Sequence, residues 1–211
     1  VLDFGAGLGV FAYALLETGV PAGNITAVEH AQALYEIGSQ LVPVVTWVGA
    51  NAFHREFWEP RMGQFDLVIG NPPWGRTRGR EPWSPDDARF GDLLLIGNGR
   101  PKSAVAEAMS LEVALRVLRP GGRVAFLLPA TAFETNAWNR YNREIGPYEE
   151  SRQIHPIEVN FAHTQVNSLL AVVTRNSRPF PGQVFGEEAP DPDEAQVEAW
   201  VRAVNATAEA V

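Results

Sequence analysis

Short apolar runs alternate with amphipathic stretches along this chain, the pattern of strands followed by helices in a parallel sheet covered on both faces. Val1–Phe4 reads as a first strand. Val10–Thr18 reads as a helix with Phe11, Ala14 and Leu15 on one side, ended by Gly19 and Pro21. Ile25–Glu29 is a second strand and Ala31–Leu41 a second helix. Val44–Val48 is β-branched and predicts a third strand, and Phe65–Gly70 a fourth. Gly75–Arg100 has no period and is rich in Gly, Pro, Arg and Asp, which predicts a long functional loop. Ala104–Leu118 is a strong helix with Met109, Val113, Leu115, Val117 and Leu118 on its apolar side. Arg119-Pro120-Gly121-Gly122 stops it. Arg123–Leu128 is a fifth strand and Ala137–Ile145 a short helix. Ile157–Phe161 and Leu169–Thr174 predict two last strands joined closely enough to pair antiparallel. The expectation is a mostly parallel seven-stranded sheet with an antiparallel edge hairpin and helices on both faces. Ser177–Pro192 is a Pro/Gly-rich linker. Beyond it Asp191-Pro192-Asp193-Glu194 opens a final helix with Val197, Trp200, Val201 and Val204 on one stripe.

Composition narrows the chemistry. The chain has 211 residues and a net charge of −8, enough for one domain with its own core. It contains no cysteine, which removes disulfides, thiolate nucleophiles and Cys-bound metal. His30, His54, His155 and His163 are scattered without metal-ligand spacing. No run approaches about 18 apolar residues, and no signal segment opens the chain, so a cytoplasmic, non-membrane protein is expected. The acidic balance argues mildly against a free-standing nucleic-acid binder, but not against a catalytic module that works beside a basic one. A first residue that is Val, already inside a strand, leads to the expectation of a fragment lacking an upstream segment.

The turn Asp3-Phe4-Gly5-Ala6-Gly7-Leu8-Gly9 joins the first strand to the first helix, where ligands of open α/β sheets bind. Glu29 ends the second strand, where its carboxylate can accept from both hydroxyls of a ribose. Together these predict a nucleoside cofactor. A dinucleotide site prefers G-x-G-x-x-G, with pyrophosphate on the helix N-terminus. Here the spacing is G-x-G-x-G, and an Asp stands two residues before the first Gly. That carboxylate repels pyrophosphate and attracts the amino group or sulfonium of S-adenosylmethionine, which the pattern therefore favours. The bland alternative is a turn that only reverses the chain.

Asn71-Pro72-Pro73-Trp74 follows the fourth strand. Two prolines fix their φ angles and can present the Pro72 carbonyl rigidly. Asn71 adds a side-chain carbonyl, and two converging acceptors suit an –NH2 group. Trp74 offers a flat face for a planar substrate. Adenine's exocyclic amine is a poor nucleophile because its lone pair is delocalised. Hydrogen bonds from both its hydrogens to Asn71 Oδ1 and Pro72 O localise that pair and stabilise the positive charge that develops during attack. No metal is needed. The bland alternative is a Pro-Pro loop beside a core Trp.

These motifs in this order resemble the gamma-class N6-adenine DNA methyltransferases of restriction-modification type. The resemblance runs from Val1 to about Arg178, and its most specific part is Asn71–Trp74. Glu112–Pro129, followed by Ala130-Thr131, is similar to the family's helix, Pro-Gly-Gly turn and strand. The resemblance implies a Rossmann-like S-adenosylmethionine-dependent fold. In it Asp3, Gly5 and Gly7 form the cofactor turn, Glu29 holds the ribose, and Asn51, Ala52 and Phe53 enclose the adenine. Asn51 stands where the family usually has Asp, and Trp74 where Tyr or Phe is commoner. The opening "DFGAGLG" departs from the frequent "DPACGSG" form. Phe161 falls where the family stacks a Phe on the flipped-out target base. The resemblance also implies a catalytic domain at 1–178, then a linker and helix at 179–211 leading to a recognition domain outside this sequence. A nuclease or specificity partner is possible.

Arg76, Arg78 and Arg80 follow the tetrad and are candidates for phosphate contact, or simply a solvated loop. Trp83 is expected to pack, His163 to be surface, and Lys102 and Ser103 are weakly supported contacts. Two further functions stay open: methylation of RNA adenine or of a protein glutamine amide, which presents the same –NH2, and a non-catalytic cofactor-binding module.

Overall fold

The computed structural model describes residues 1–75, 93–95, 105–134, 138–157 and 167–183. Seven strands form one sheet: β1 (Leu2–Phe4), β2 (Thr26–Glu29), β3 (Thr46–Gly49), β4 (Phe65–Gly70), β5 (Leu118–Pro129), β6 (Glu149–Ile157) and β7 (Ser168–Arg175). The helices among the described residues are α1 (Val10–Glu17), α2 (Gln32–Leu41), α3 (Arg55–Trp58), α4 (Ala106–Val117) and α5 (Asn139–Glu144). The strand order is β3-β2-β1-β4-β5-β7-β6. β1 to β5 run parallel, and β7 lies antiparallel between β5 and β6. This is the mostly parallel, seven-stranded arrangement that the alternating pattern predicts. The chain turns from building on one side of β1 to building on the other between β3 and β4. The switch point of the sheet therefore lies between β1 and β4.

Side chains alternate between the two faces along each strand. Ala27, Leu67 and Ile69 pack with Ala12 and Leu15 of α1 on one face. Val28, Val68 and Val124 pack with Val113, Leu115 and Val117 of α4 on the other. α4 is buried along its whole length, including Glu107, Glu112 and Arg116. Such a helix belongs inside a structure rather than on its surface. Arg116 pairs with Glu112 at 2.9 Å, and Glu112 also accepts the N–H groups of Leu94 and Leu95 at 2.6 and 3.0 Å. The buried charges are thus satisfied, and residues 93–95 are tied to α4.

Three elements differ from the sequence reading. The penultimate strand is Glu149–Ile157, not Ile157–Phe161, and the two overlap only at Ile157. Among the described residues β6 pairs with β7 alone, and most of its residues are exposed. Its residues are polar, it carries Pro156, and no apolar run marks it, as an edge strand permits. The fifth strand begins at Leu118 rather than Arg123. The Pro-Gly-Gly segment bulges, so Phe65 faces Leu118 while Leu67 faces Arg123. α3 was not expected: four residues fold into one turn because Phe57 and Trp58 are drawn into the core. The expected helix at 191–210 lies outside the described residues.

Candidate active site

The carboxyl ends of β1, β2, β3 and β4 open into a cavity of about 300 Å³, at the lower end of the range for small-molecule sites. Phe4, Val28, Ala50, Ala52 and Phe53 give it apolar walls. Glu29, His30, Asn51 and Asn71 bring polar groups, and Gly5 and Pro73 approach with little side-chain bulk. Phe4 packs against Phe53 and Phe126, with ring centroids 6.0 and 5.5 Å apart, which stiffens the wall beneath.

The β1–α1 turn is shaped by its glycines. Gly5, Gly7 and Gly9 have φ of +69°, +55° and +85°, values an L side chain rarely adopts. A Cβ on Gly9 would stand 2.9 Å from the Trp47 indole, so the ring supports the turn from below. Glu29 holds the turn from the other side. One carboxylate oxygen accepts the Gly7 N–H at 2.8 Å and the other the Ala31 N–H at 2.7 Å. Each oxygen retains a lone pair for a ligand hydroxyl.

Asp3 is fully buried. Its Oδ2 accepts the Ala12 N–H at 2.9 Å, which caps the first turn of α1 from beneath. Its Oδ1 is buried and has no partner among the described residues. Burial raises the carboxyl to about 7, and the Glu29 charge adds to the rise while the Ala12 bond opposes it. Asp3 does not line the cavity; it lies under the turn, one layer away from the position the motif suggests.

Asn51 is buried and forms a local turn: its Oδ1 accepts the Phe53 N–H at 3.0 Å, and its Nδ2 meets His54 Nε2 at 3.2 Å. Ala52 and Phe53 follow as walls of the cavity. A nucleoside fits this lining: apolar walls for a base and the Glu29 carboxylate for a ribose.

The tetrad lies beside that turn. Gly70, at the end of β4, has φ +155°, and a Cβ there would overlap the Phe4 carbonyl oxygen. Its glycine lets β1 and β4 converge at the switch point. The Asn71 main-chain oxygen lies 3.6 Å from where a Cβ on Gly5 would stand, so tetrad and turn touch. Asn71 and Pro73 line the cavity. Pro72 is buried, and neither it nor Trp74 lines the cavity. The Trp74 indole is half-buried and donates to Leu127 O at 3.2 Å, at the carboxyl end of β5. The structure thus brings together Gly5, Glu29, Asn51, Ala52, Phe53, Asn71 and Pro73. Phe161, Arg76, Arg78, Arg80, Trp83, Lys102, Ser103 and His163 lie outside the described residues. Sequence reasoning missed Gly70 and the lining residues Val28, His30, Ala31 and Ala50. Each adjoins a strand end already singled out, and strand alternation was the available signal. Among the described residues no group of His, Asp or Glu is arranged to hold a metal ion, and no helix is long and apolar enough to cross a membrane.

Comparisons with known proteins agree with this architecture. The chain superposes on a structure described as a class I S-adenosylmethionine-dependent methyltransferase from Listeria monocytogenes, with a TM-score of 0.64 and 17% identity, covering 92% of this chain and 55% of that one. It superposes on DrdV, from a DrdV–DNA complex, with a TM-score of 0.62 and 15% identity, covering 84% and 23%. On the type IIG restriction endonuclease BpuSI the values are 0.58 and 18%, covering 84% and 22%. The chain thus spans about half the length of the first and less than a quarter of the other two. No curated protein matches the sequence. The fold is that of class I S-adenosylmethionine-dependent methyltransferases. More narrowly, the Eco57I restriction-modification methylase family matches residues 42–159, and the chain belongs to that family.

Proposed function

We propose that this chain methylates the exocyclic N6 amine of adenine in DNA, with the base out of the duplex. One observation carries the reading: Asn71 and Pro73, from the end of β4, share a cavity with Glu29 at the switch point of the sheet. Donor and acceptor therefore meet at one place. S-adenosylmethionine supplies a methyl group on a positively charged sulfur. The chain's own residues do the rest. Glu29 accepts the ribose hydroxyls, Asn51, Ala52 and Phe53 enclose the adenine of the cofactor, and Gly5 and Gly7 leave room for its backbone-side approach. Asp3 props the turn and keeps Oδ1 available beneath it. Asn71 Oδ1 and Pro72 O accept the two hydrogens of the target amine, drawing its lone pair out of the ring and toward the methyl. Trp74 covers the base from one side.

The membership in a restriction-modification family supports DNA as the substrate, as do the similar folds of BpuSI, a restriction endonuclease, and DrdV, bound to DNA. Phe161 is assigned to stack on the extruded base, and Arg76 and Arg78 to phosphates. Residues 1–178 are assigned as the catalytic unit, with 179–211 leading to a recognition, nuclease or specificity element. The decisive test is transfer of labelled methyl to duplex DNA, RNA and a glutamine peptide in parallel. Transfer to DNA at adenine is expected; transfer to RNA or peptide alone overturns the choice of substrate. Phe161→Ala is expected to impair duplex DNA more than DNA with a mismatched target, and equal loss on both removes the stacking role.

A further inference from the structure

The tetrad is held by a residue 33 positions after Trp74, and that residue has no place in the motif. Glu107 stands in the first turn of α4 and is 5% exposed. Its Oε2 accepts the Gly75 N–H at 2.9 Å, while the Ala106 N–H donates to the Gly75 carbonyl at 2.8 Å. Two consecutive residues of α4 therefore grip Gly75 by both its polar groups. Gly75 has φ +107°, a conformation that only glycine adopts readily, so the grip selects an unusual backbone angle directly after Trp74. The Trp74–Gly75 peptide carries the gripped N–H, and the Trp74 indole is tethered separately to Leu127 O. Two anchors from different elements thus meet at the last residue of the tetrad.

A buried carboxylate is a costly way to fill this place. Among the described residues no cation pairs with Glu107, and burial raises its carboxyl above the ordinary range while the Gly75 bond opposes the rise. Glu112, on the same helix, differs: it is neutralised by Arg116 and serves residues 94 and 95. Glu107 directs its carboxylate to backbone N–H groups, its own and that of Gly75, at the exit of the tetrad.

We infer that Glu107 is a positioning residue for methyl transfer, holding Gly75 so that Trp74 and the acceptors before it keep their reactive geometry. The inference rests on the reading that Asn71–Trp74 carries the reaction. Displacement of reacting groups by about 1 Å costs on the order of a hundredfold in rate. For the 211-residue chain, Glu107→Ala is expected to lower kcat by tenfold to a hundredfold, with KM and Kd for S-adenosylmethionine within twofold. Glu107→Gln keeps an acceptor for Gly75 and is expected to recover most of the rate. Glu107→Asp, which keeps the charge but withdraws the acceptor by one methylene, is expected to behave like alanine and serves if the alanine variant does not fold. A second readout needs no turnover. In 15N-labelled wild-type protein the Gly75 amide is expected to exchange slowly and to shift as Glu107 titrates; both properties are lost in Glu107→Asp. Wild-type kcat in folded Glu107→Ala or Glu107→Asp, or unchanged Gly75 exchange, overturns the inference. So does loss in Glu107→Gln as deep as in Glu107→Asp. If Asn71→Ala transfers methyl as well as wild type, the reading of the tetrad has failed instead, and Gly75 exchange alone then decides the role of Glu107.

Discussion

The two halves of the site are supported in opposite ways. The glycine turn after β1 is braced from within the first three strands, with the Trp47 indole of β3 beneath Gly9. Asp3 lies just before it and accepts the Ala12 N–H, and Glu29 comes from the next strand. The tetrad after β4 is braced from afar: Trp74 by Leu127 of β5, Gly75 by Ala106 and Glu107 of α4. The half proposed to hold the cofactor is built within β1 to β3, whereas the half proposed to hold the acceptor depends on α4 and β5. Damage to the first should therefore appear in ligand affinity, and damage to the second in rate.

Asn71→Ala tests the division most sharply. Loss of one charge-stabilising acceptor is expected to lower kcat about a hundredfold to a thousandfold while cofactor affinity stays within a few-fold, read by labelled methyl transfer and calorimetry. An equal loss of affinity would merge the two halves. Gly70→Ala strikes the seam between them. Its Cβ would overlap the Phe4 carbonyl oxygen in a strained backbone region, with an expected cost of about 3 kcal/mol in chemical unfolding. Glu29→Gln is expected to weaken S-adenosylmethionine about tenfold, or 1.4 kcal/mol, without changing kcat at saturation. Asp3 is read through the pH dependence of stability rather than through a single loss. Its carboxyl is raised to about 7 in the folded chain against 3.8 when unfolded. The folded state then holds a proton the unfolded state has lost, so this group's contribution is greatest at low pH and declines as pH rises from about 4 to about 7. The slope is at most about 1.4 kcal/mol per pH unit. Asp3→Asn is expected to flatten the pH dependence of thermal unfolding over that window; an unchanged profile would mean the carboxylate is already ionised.

The same contrast explains what could be read in advance. The glycine turn and Glu29 were legible because glycines and an acidic residue stand at the ends of apolar strand runs. Six of the seven strands were legible from short apolar or β-branched runs; five of them lie inside the sheet, and the edge strand β3 still carries Trp47 and Val48. β6 was not, since its residues are mostly polar and exposed. Asn71 and Pro73 were legible as a motif, whereas Asp3, expected to face the cofactor, serves the Ala12 N–H beneath the cavity rather than lining it. Glu107 was illegible because nothing near it names its partner. Only folding brings position 107 against position 75.

The outer strand of the sheet has a consequence of another kind. Along β6 the exposed residues include Glu150, Gln153, His155 and Pro156, at an edge that no other described strand pairs. Charges and a residue without an N–H discourage a second molecule from docking there edge to edge. Ile154, 45% exposed, is the weak point of that barrier. Replacing Pro156 by a β-branched residue would invite self-association in crowded solution before it altered any chemistry at the other end of the sheet.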